Sequence, residues 1–320
     1  MKINLTLVQD PQLFETADIG EIAKAVQRGA PTFLINIVSP RDLSSNVPAE
    51  RWQHPSITVA FCTSGRFAPP RGPIFECKPI AKLDQYNRFL AHGIATPRTE
   101  RFVLGKAYDP ALWSSYVILK PLPLDLTSLA GAAKLHRTSR LSEAKLAKLA
   151  VDHPLRRGPA LVQEFIDTGL YPYKWRVLSF LGEPLYCSVT RSAAPRVPLD
   201  ADDETLEASI VDAKNAASRV ADIEGKRNAL VRDEDVLAFA RAVHAVFPRR
   251  TLLGIDILKR ESDGKLFVIE VNAGGNVWHF SSSKKGHCRR LGGKPAMVAQ
   301  LDAWNVAAKR LISLGRSHAT

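Results

Sequence analysis

Three oxygen-bearing side chains stand out in an otherwise apolar stretch of this sequence. Asp256 lies in the run Leu252-Leu253-Gly254-Ile255-Asp256-Ile257-Leu258, and Glu270 and Asn272 lie in Phe267-Val268-Ile269-Glu270-Val271-Asn272. Glu270 and Asn272 are two residues apart, so on a strand they point to the same face. Glu261-Ser262-Asp263-Gly264 separates the runs and turns them into an antiparallel hairpin, on which Asp256 can join the pair. Two carboxylates and an amide oxygen make a hard donor set suited to Mg²⁺, which typically keeps water and phosphate oxygens in its other positions. The competing reading is a hairpin with one solvated polar face. Against it, Asn272 is followed by Ala273-Gly274-Gly275-Asn276. An exposed face gains nothing from paired glycines, whereas Gly274 and Gly275 would let backbone N–H groups approach an oxyanion.

Two lysines precede the hairpin in unfavourable places. Lys82 opens a helix over 82–92, with Leu83, Tyr86, Phe89 and Leu90 inward, and a cation there opposes the helix dipole. Lys120 ends the apolar strand Tyr116-Val117-Ile118-Leu119 just before Pro121, where an ammonium is costly unless it is needed at a mouth. A surface charge is the competing reading for each.

The elements that would carry these residues follow from pattern. Lys2–Val8, Thr32–Val38 and Ile57–Cys62 read as strands, with a helix between the first two. That helix has apolar Ile19, Ile22, Ala23 and Val26, and Asp18 three before Glu21 resembles a capping box. A small βαβ lobe with a parallel sheet is expected, without a GxGxxG dinucleotide signature. Pro69-Pro70-Arg71-Gly72-Pro73 punctuates the connection to the next part. Beyond Lys120 come a helix near 142–151 and the strand Ala160–Ile166. A hairpin follows, Trp175–Leu181 with Leu185–Arg191, turned at Gly182-Glu183-Pro184. Residues 199–222 read as an amphipathic helix through Leu206, Ile210, Ala213, Ala217 and Val220. A helix over 233–247 precedes the metal hairpin, and one closing helix carries Val298, Leu301, Trp304 and Leu311.

Composition narrows the class. The 320 residues suffice for two or three lobes, and 45% hydrophobic with 24% charged residues is ordinary for a globular protein. Cys62, Cys77, Cys187 and Cys288 form no CxxC pair, which argues against a zinc site or disulfide scaffold. The polar stretch Met1–Asp10 does not suit a signal peptide, and no apolar run approaches the roughly 18 residues of a membrane span, so a cytoplasmic location is expected. A net charge of +12 is compatible with nucleic acid. No nucleic-acid motif accompanies it, and basic solvated faces with a share around an anionic ligand explain it better. The absence of GxxxxGK[ST] excludes a P-loop mechanism.

In the order Gly-Ile-Asp then Ile-Glu-Val-Asn, the hairpin resembles the metal motif of ATP-grasp enzymes, a superfamily that includes D-alanine–D-alanine ligase, glutathione synthetase and ligases that add glutamate to ribosomal protein tails. The resemblance spans roughly residues 75–312, with its elements in the family's order. It implies an α/β ATP-grasp fold in three parts: an N-terminal βαβ lobe at 1–76, a linker helix with a central lobe at 77–168, and a C-terminal lobe at 169–320. ATP would lie between the last two. Asp256, Glu270 and Asn272 would hold Mg²⁺, or Mn²⁺ in its place. Lys82 and Lys120 would contact ATP phosphates. Gln163 would read the adenine edge by its side chain, with Glu164 and Ile166 reading it through the backbone. The family's acidic ribose partner is missing from Tyr173-Lys174-Trp175-Arg176, and Lys174, expected to join the ATP-binding residues, resembles instead a variant found in inositol-phosphate kinases of this fold. The segment Leu122–Lys134 departs too, because it has a single glycine, Gly131, where many members have a glycine- and serine-rich phosphate loop.

The activity implied is ATP-dependent joining of a carboxylate to an amine through an acyl phosphate. Arg176 and Arg191 are candidates to neutralise transferring phosphate or a substrate carboxylate, with surface-strand arginines as the alternative. Gly274 and Gly275 would hold the oxyanion. The expected partner is a small, amino-acid or peptide substrate, anionic if the basic stretch Lys284–Arg290 serves it, and Arg196, Asn276 and the run Ser281–Lys285 are further candidates for contact. A phosphotransferase on the same fold and a non-catalytic ATP-binding protein are the alternatives. The oligomeric state is left open, a homodimer included.

Overall fold

The computed structural model describes residues 1–122, 133–143, 151–208, 210–211, 226–274, 277–281 and 285–320. Among them, three sheets carry the chain. Strands β1 (Ile3–Val8), β2 (Phe33–Val38), β3 (Ser56–Ala60) and β4 (Ile74–Phe75) form a sheet of order β2-β1-β3-β4, every pair parallel. All six residues of β1 are buried, as a strand covered on both faces requires. Helix α1 (Thr16–Gly29) crosses between β1 and β2 and buries Ile19, Ile22, Ala25 and Val26.

Asp18 does not cap α1. The N-cap is Glu15, which makes no side-chain cap bond, and Asp18 sits in the first turn facing the interior. It accepts from Trp278 Nε1 at 2.9 Å and from Lys294 Nζ at 2.7 Å. A buried carboxylate needs a strong donor and a cation, and both come from the far end of the chain.

Helix α2 (Lys82–Ala91) leads to a second sheet, of β5 (Thr99–Arg101), β6 (Tyr116–Pro121), β7 (Ala133–Arg137), β8 (Ala160–Glu164) and β11 (Ile210–Val211), in the order β11-β7-β6-β8-β5. One face packs on α3 (Pro110–Trp113) and α4 (Pro154–Arg157) through Trp113, Val117, Leu119, Leu155 and Val162. The third sheet has β9 (Tyr173–Phe180), β10 (Glu183–Ser192), β12 (Lys226–Leu230), β13 (Leu252–Lys259) and β14 (Leu266–Ala273), in the order β12-β10-β9-β13-β14. Its apolar face buries Trp175, Val177, Leu253 and Ile255 against Val236, Leu237, Ala240 and Val243 of α6 (Glu234–Ala245).

Two local expectations change, and a third falls mostly outside the described residues. Residues 199–222 are not one helix, since α5 (Asp203–Ala208) ends before the two-residue strand β11, whose pairing with β7 outweighs helical periodicity; 209 and 212–225 lie outside the described residues. Of the helix expected at 142–151, residues 144–150 also lie outside them, and Thr138–Glu143 forms a 3₁₀ turn. After α7 (Lys285–Arg290), the closing helix is two, α8 (Gly293–Leu301) and α9 (Ala303–His318), broken at Asp302 by its left-handed φ of 55°.

Among the described residues no helix is long and apolar enough to cross a membrane. One core joins the first sheet, the ends of β9 and β10, and α9, with the wholly buried Trp278 stacked on the partly buried Trp304. Asp18 is the polar bolt through that core. Asp18→Ala leaves the indole N–H without its acceptor and should lower stability by about 2–4 kcal/mol. The shift in urea midpoint, followed by tryptophan fluorescence, checks it.

Candidate functional site

The hairpin β13–β14 sets the site by register. Asp256 lies directly opposite Glu270 and Gly254 opposite Asn272, while on the other side Asp256 lies opposite Arg176 of β9. Directly opposed residues share a face, and so do residues two apart. Lys174, Arg176, Asp256, Glu270 and Asn272 therefore project together from the face opposite the α6 core. The register slips after Asp256, leaving Ile269 as an extra residue on β14. Such bulges re-aim side chains.

Asp256 is wholly buried and holds two cations. Arg176 Nε stands 2.6 Å from Oδ1, Arg176 Nη2 donates to Oδ2 at 3.0 Å, and Lys174 Nζ donates to Oδ2 at 3.2 Å. Burial pushes the Asp256 carboxyl up, and Arg176 followed by Lys174 opposes that rise. Burial likewise pushes Lys174 down, against the pull of Asp256. Gly254 makes this packing possible, because a β-carbon there would lie 2.5 Å from Arg176 Nη1 and 2.8 Å from Val277 Cγ1.

Lys82 reaches the site because α2 is bolted to the outer edge of β14. Gln85 accepts from the Val271 N–H at 2.9 Å, Tyr86 donates to the Ile269 carbonyl at 2.9 Å, and Thr96 donates to the Val268 carbonyl at 2.9 Å. Gln85 and Tyr86 follow Lys82 by three and four residues, one helical turn, so the same helix face carries all three. Lys82 Nζ then stands 3.8 Å from Glu270 Oε2. Burial would raise the Glu270 carboxyl, but Lys82, the Asn272 amide, Lys174 and Arg176 together bring it down to about 2.

Lys120 arrives from the second sheet. Its ammonium donates to Gln163 Oε1, and Gln163 Nε2 donates to Thr99 Oγ1 at 2.8 Å. Burial, then Lys82, lower its pKa to about 8, with Glu270 and Asp256 opposing. Those mutual influences mark one electrostatic cluster shared by the second and third sheets.

The structure thus brings together Lys82, Lys120, Lys174, Arg176, Asp256, Glu270 and Asn272, with Gln163 behind Lys120. Both ends of the Gln163 amide are engaged, which makes it a support for Lys120. Glu164 N–H donates to the Arg98 carbonyl at 2.9 Å. Phe165 N–H next to it joins the Tyr116 carbonyl at 3.1 Å, so Ile166 follows the end of the β8 ladder. Arg191 is a correction: it lies opposite Tyr173, an odd number of residues from Lys174 and Arg176, and so projects from the other face. Its guanidinium stacks 4.6 Å from the Tyr173 ring centroid. Arg196 is engaged by Asp167 at 3.0 and 3.2 Å. Ser281 Oγ accepts from Glu15 N–H at 3.0 Å. Gly274 takes a φ of 105°, open to glycine, while Gly275, Asn276 and 282–284 lie outside the described residues, as does most of 122–134. Residues 285–290 of the basic stretch form α7.

The donors present fit a divalent cation. Asp256 Oδ1 is buried without an aligned hydrogen bond despite its ion pair, which leaves a lone pair unfilled. Asn272 Nδ2 donates to Glu270 Oε1 at 3.1 Å, an arrangement that turns its carbonyl oxygen outward from that bond. Sequence reasoning missed Gln85, Tyr86 and Thr99. The first two carried a signal in their helical spacing from Lys82, and Thr99 carried none. Gly254→Ala should push Arg176 off Asp256 and cost about 1–3 kcal/mol, checked by denaturation midpoint.

No protein-family description matches the chain, and no curated protein matches it. Solved structures similar to it over nearly its whole length include three described as follows. A D-alanine–D-alanine ligase from Bacillus anthracis is 12% identical with a TM-score of 0.47, covering 99% of both chains. The D-cycloserine synthetase DcsG is 14% identical with a TM-score of 0.46, covering 96% of this chain and 99% of that one. The ATP-grasp ligase PsnB, complexed with minimal precursor, Mg and ADP, is 12% identical with a TM-score of 0.48, covering 98% of both.

Proposed function

We propose that this chain is an ATP- and Mg²⁺-dependent ligase of the ATP-grasp type, which joins a carboxylate to an amine and releases ADP and phosphate. One observation carries the reading: Lys82 from α2, Lys120 from β6 and the Asp256, Glu270, Asn272 set from the hairpin form a single charge cluster, although they come from three separate elements. A solvated hairpin face has no reason to gather two lysines from elsewhere.

Lys82 and Lys120 bind and orient the triphosphate as compact ammonium groups. A substrate carboxylate oxygen attacks the γ-phosphorus, the bond to the β,γ-bridging oxygen breaks, and ADP departs. An amine nitrogen then attacks the acyl carbon, phosphate leaves, and the amine loses its proton. Positioning and electrostatics supply most of the acceleration in such transfers. Glu270 and Asn272, with Asp256 beside them, would hold Mg²⁺, which when bound supplies neutralisation of charge on the β- and γ-phosphates. Gly274 and Gly275 are assigned the oxyanion of the second step through their backbone N–H groups, and Arg176 Nη1 and Val277 both border Gly254. The adenine is assigned to the backbone of Glu164 and Ile166. The phosphotransferase alternative leaned on Lys174, whose ammonium is engaged by Asp256. We assign the acceptor to the amino-acid or peptide class and the protein to the cytoplasm.

Incubation with ATP, Mg²⁺ and an amino-acid library, read by intact mass, tests the class. A dehydrated conjugate with ADP is expected, whereas a product heavier by a phosphoryl group would replace the ligase with a kinase. Glu270→Gln should lower ATP turnover roughly 10²–10³-fold; unchanged turnover would remove the enzymatic claim.

The pH response follows from Lys120. Its folded pKa of about 8 lies below the ordinary 10.5, so it is charged below pH 8 and loses its proton above. Triphosphate favours the charged form, so affinity for an ATP analogue should fall as pH rises through about 8. Lys120→Arg, charged throughout, should flatten that break in a calorimetric pH series.

A further inference from the structure

We propose that Lys174 takes, at Asp256, the place a second divalent cation would otherwise fill, so that this chain binds its nucleotide with a single divalent cation on Glu270 and Asn272. The inference rests on the ATP reading above.

Two carboxylates and an amide could seat one cation or two, and the surroundings of Asp256 decide. Its Oδ2 accepts from both Lys174 Nζ at 3.2 Å and Arg176 Nη2 at 3.0 Å, and Arg176 Nε closes on Oδ1 at 2.6 Å. A metal bound through Oδ2 would have to displace an ammonium that is 8% exposed and a guanidinium that is 13% exposed. The guanidinium is also closely packed. Arg176 Nη1 lies across Gly254, in space where a β-carbon would stand 2.5 Å away, with Val277 beside it. Only the unfilled lone pair of Oδ1 remains, and Asp256 lies directly across the hairpin from Glu270. That oxygen can therefore share a cation with Glu270 and cannot support a separate one.

Glu270 offers the contrasting case. Its Oε2 has Lys82 at 3.8 Å, beyond hydrogen-bond reach, and the Asn272 amide is anchored through its nitrogen. These oxygens are open to the short, near-octahedral contacts Mg²⁺ demands.

Charge balance points the same way. Lys82, Lys120, Lys174 and Arg176 face Asp256 and Glu270, which leaves two uncompensated positive charges. One divalent cation brings the surplus to four, matching a fully ionised triphosphate. A second would bury two further positive charges with no partner, at high cost in a low-dielectric site.

The test counts Mn²⁺ by electron paramagnetic resonance on the full chain saturated with a β,γ-imido ATP analogue, with bound nucleotide quantified separately. One Mn²⁺ per bound nucleotide is expected for the wild type and for Lys174→Arg, which keeps the cation. Lys174→Met should admit a second, weaker Mn²⁺, with thermal melting to establish that it folds; Lys174→Gln serves if it does not. Two Mn²⁺ in the wild type would overturn the proposal, as would a count of one in a folded, uncharged variant. Absence of bound nucleotide would sink the ATP reading and this proposal with it, and the separate nucleotide count distinguishes that failure from a wrong metal count.

Discussion

Asp256 is a carboxylate with no contact to water, on an interior strand of a five-stranded sheet. Such a group is tolerated only when cations and donors compensate it, and here Arg176 and Lys174 do so from the neighbouring strand. Much of the third sheet's local design follows from that requirement. Gly254 must lack a side chain so that the Arg176 guanidinium can lie flat across β13. The face that carries Asp256 must be polar, so the opposite face of β9 and β13 takes the whole apolar load against α6.

The same charges reach beyond their own sheet. Glu270 keeps its carboxyl ionised against burial chiefly through Lys82, and Lys82 is there because Gln85 and Tyr86 tie its helix to the edge of β14. That helix also covers an edge strand that would otherwise present open backbone groups. Lys120, in turn, is held at the cluster by an amide whose other end is fixed by Thr99. Cations are thus placed by hydrogen bonds formed well behind them, and the site inherits its geometry from packing.

Much of this was legible in the residues, and the reasons are physical. Period-two spacing put Glu270 and Asn272 on one face, and hairpin pairing brought in Asp256, because strand geometry leaves little freedom. The parallel first sheet followed from continuous apolar runs. What failed was tertiary. Asp18 resembled a helix cap because spacing alone cannot reveal that Trp278 and Lys294 would claim it. Arg191 looked equivalent to Arg176 until register counted its parity. The helix expected at 199–222 gave way at Ile210–Val211, where β7 offered a pairing edge that periodicity does not register.

The bonds that tie Ala95 and Thr96 to Val268 have a mechanical meaning. Up to Thr96 the connector is part of the third sheet's framework, and at Thr99 it has already become a strand of the second. Within this connector, a rotation of the second sheet against the third would be taken up near Pro97 and Arg98. Lys82 lies on the third-sheet side of that connector and Lys120 on the second-sheet side. A bound chain of phosphates bridging the two would act as a latch, with the distance between two ammonium groups as the gauge of closure.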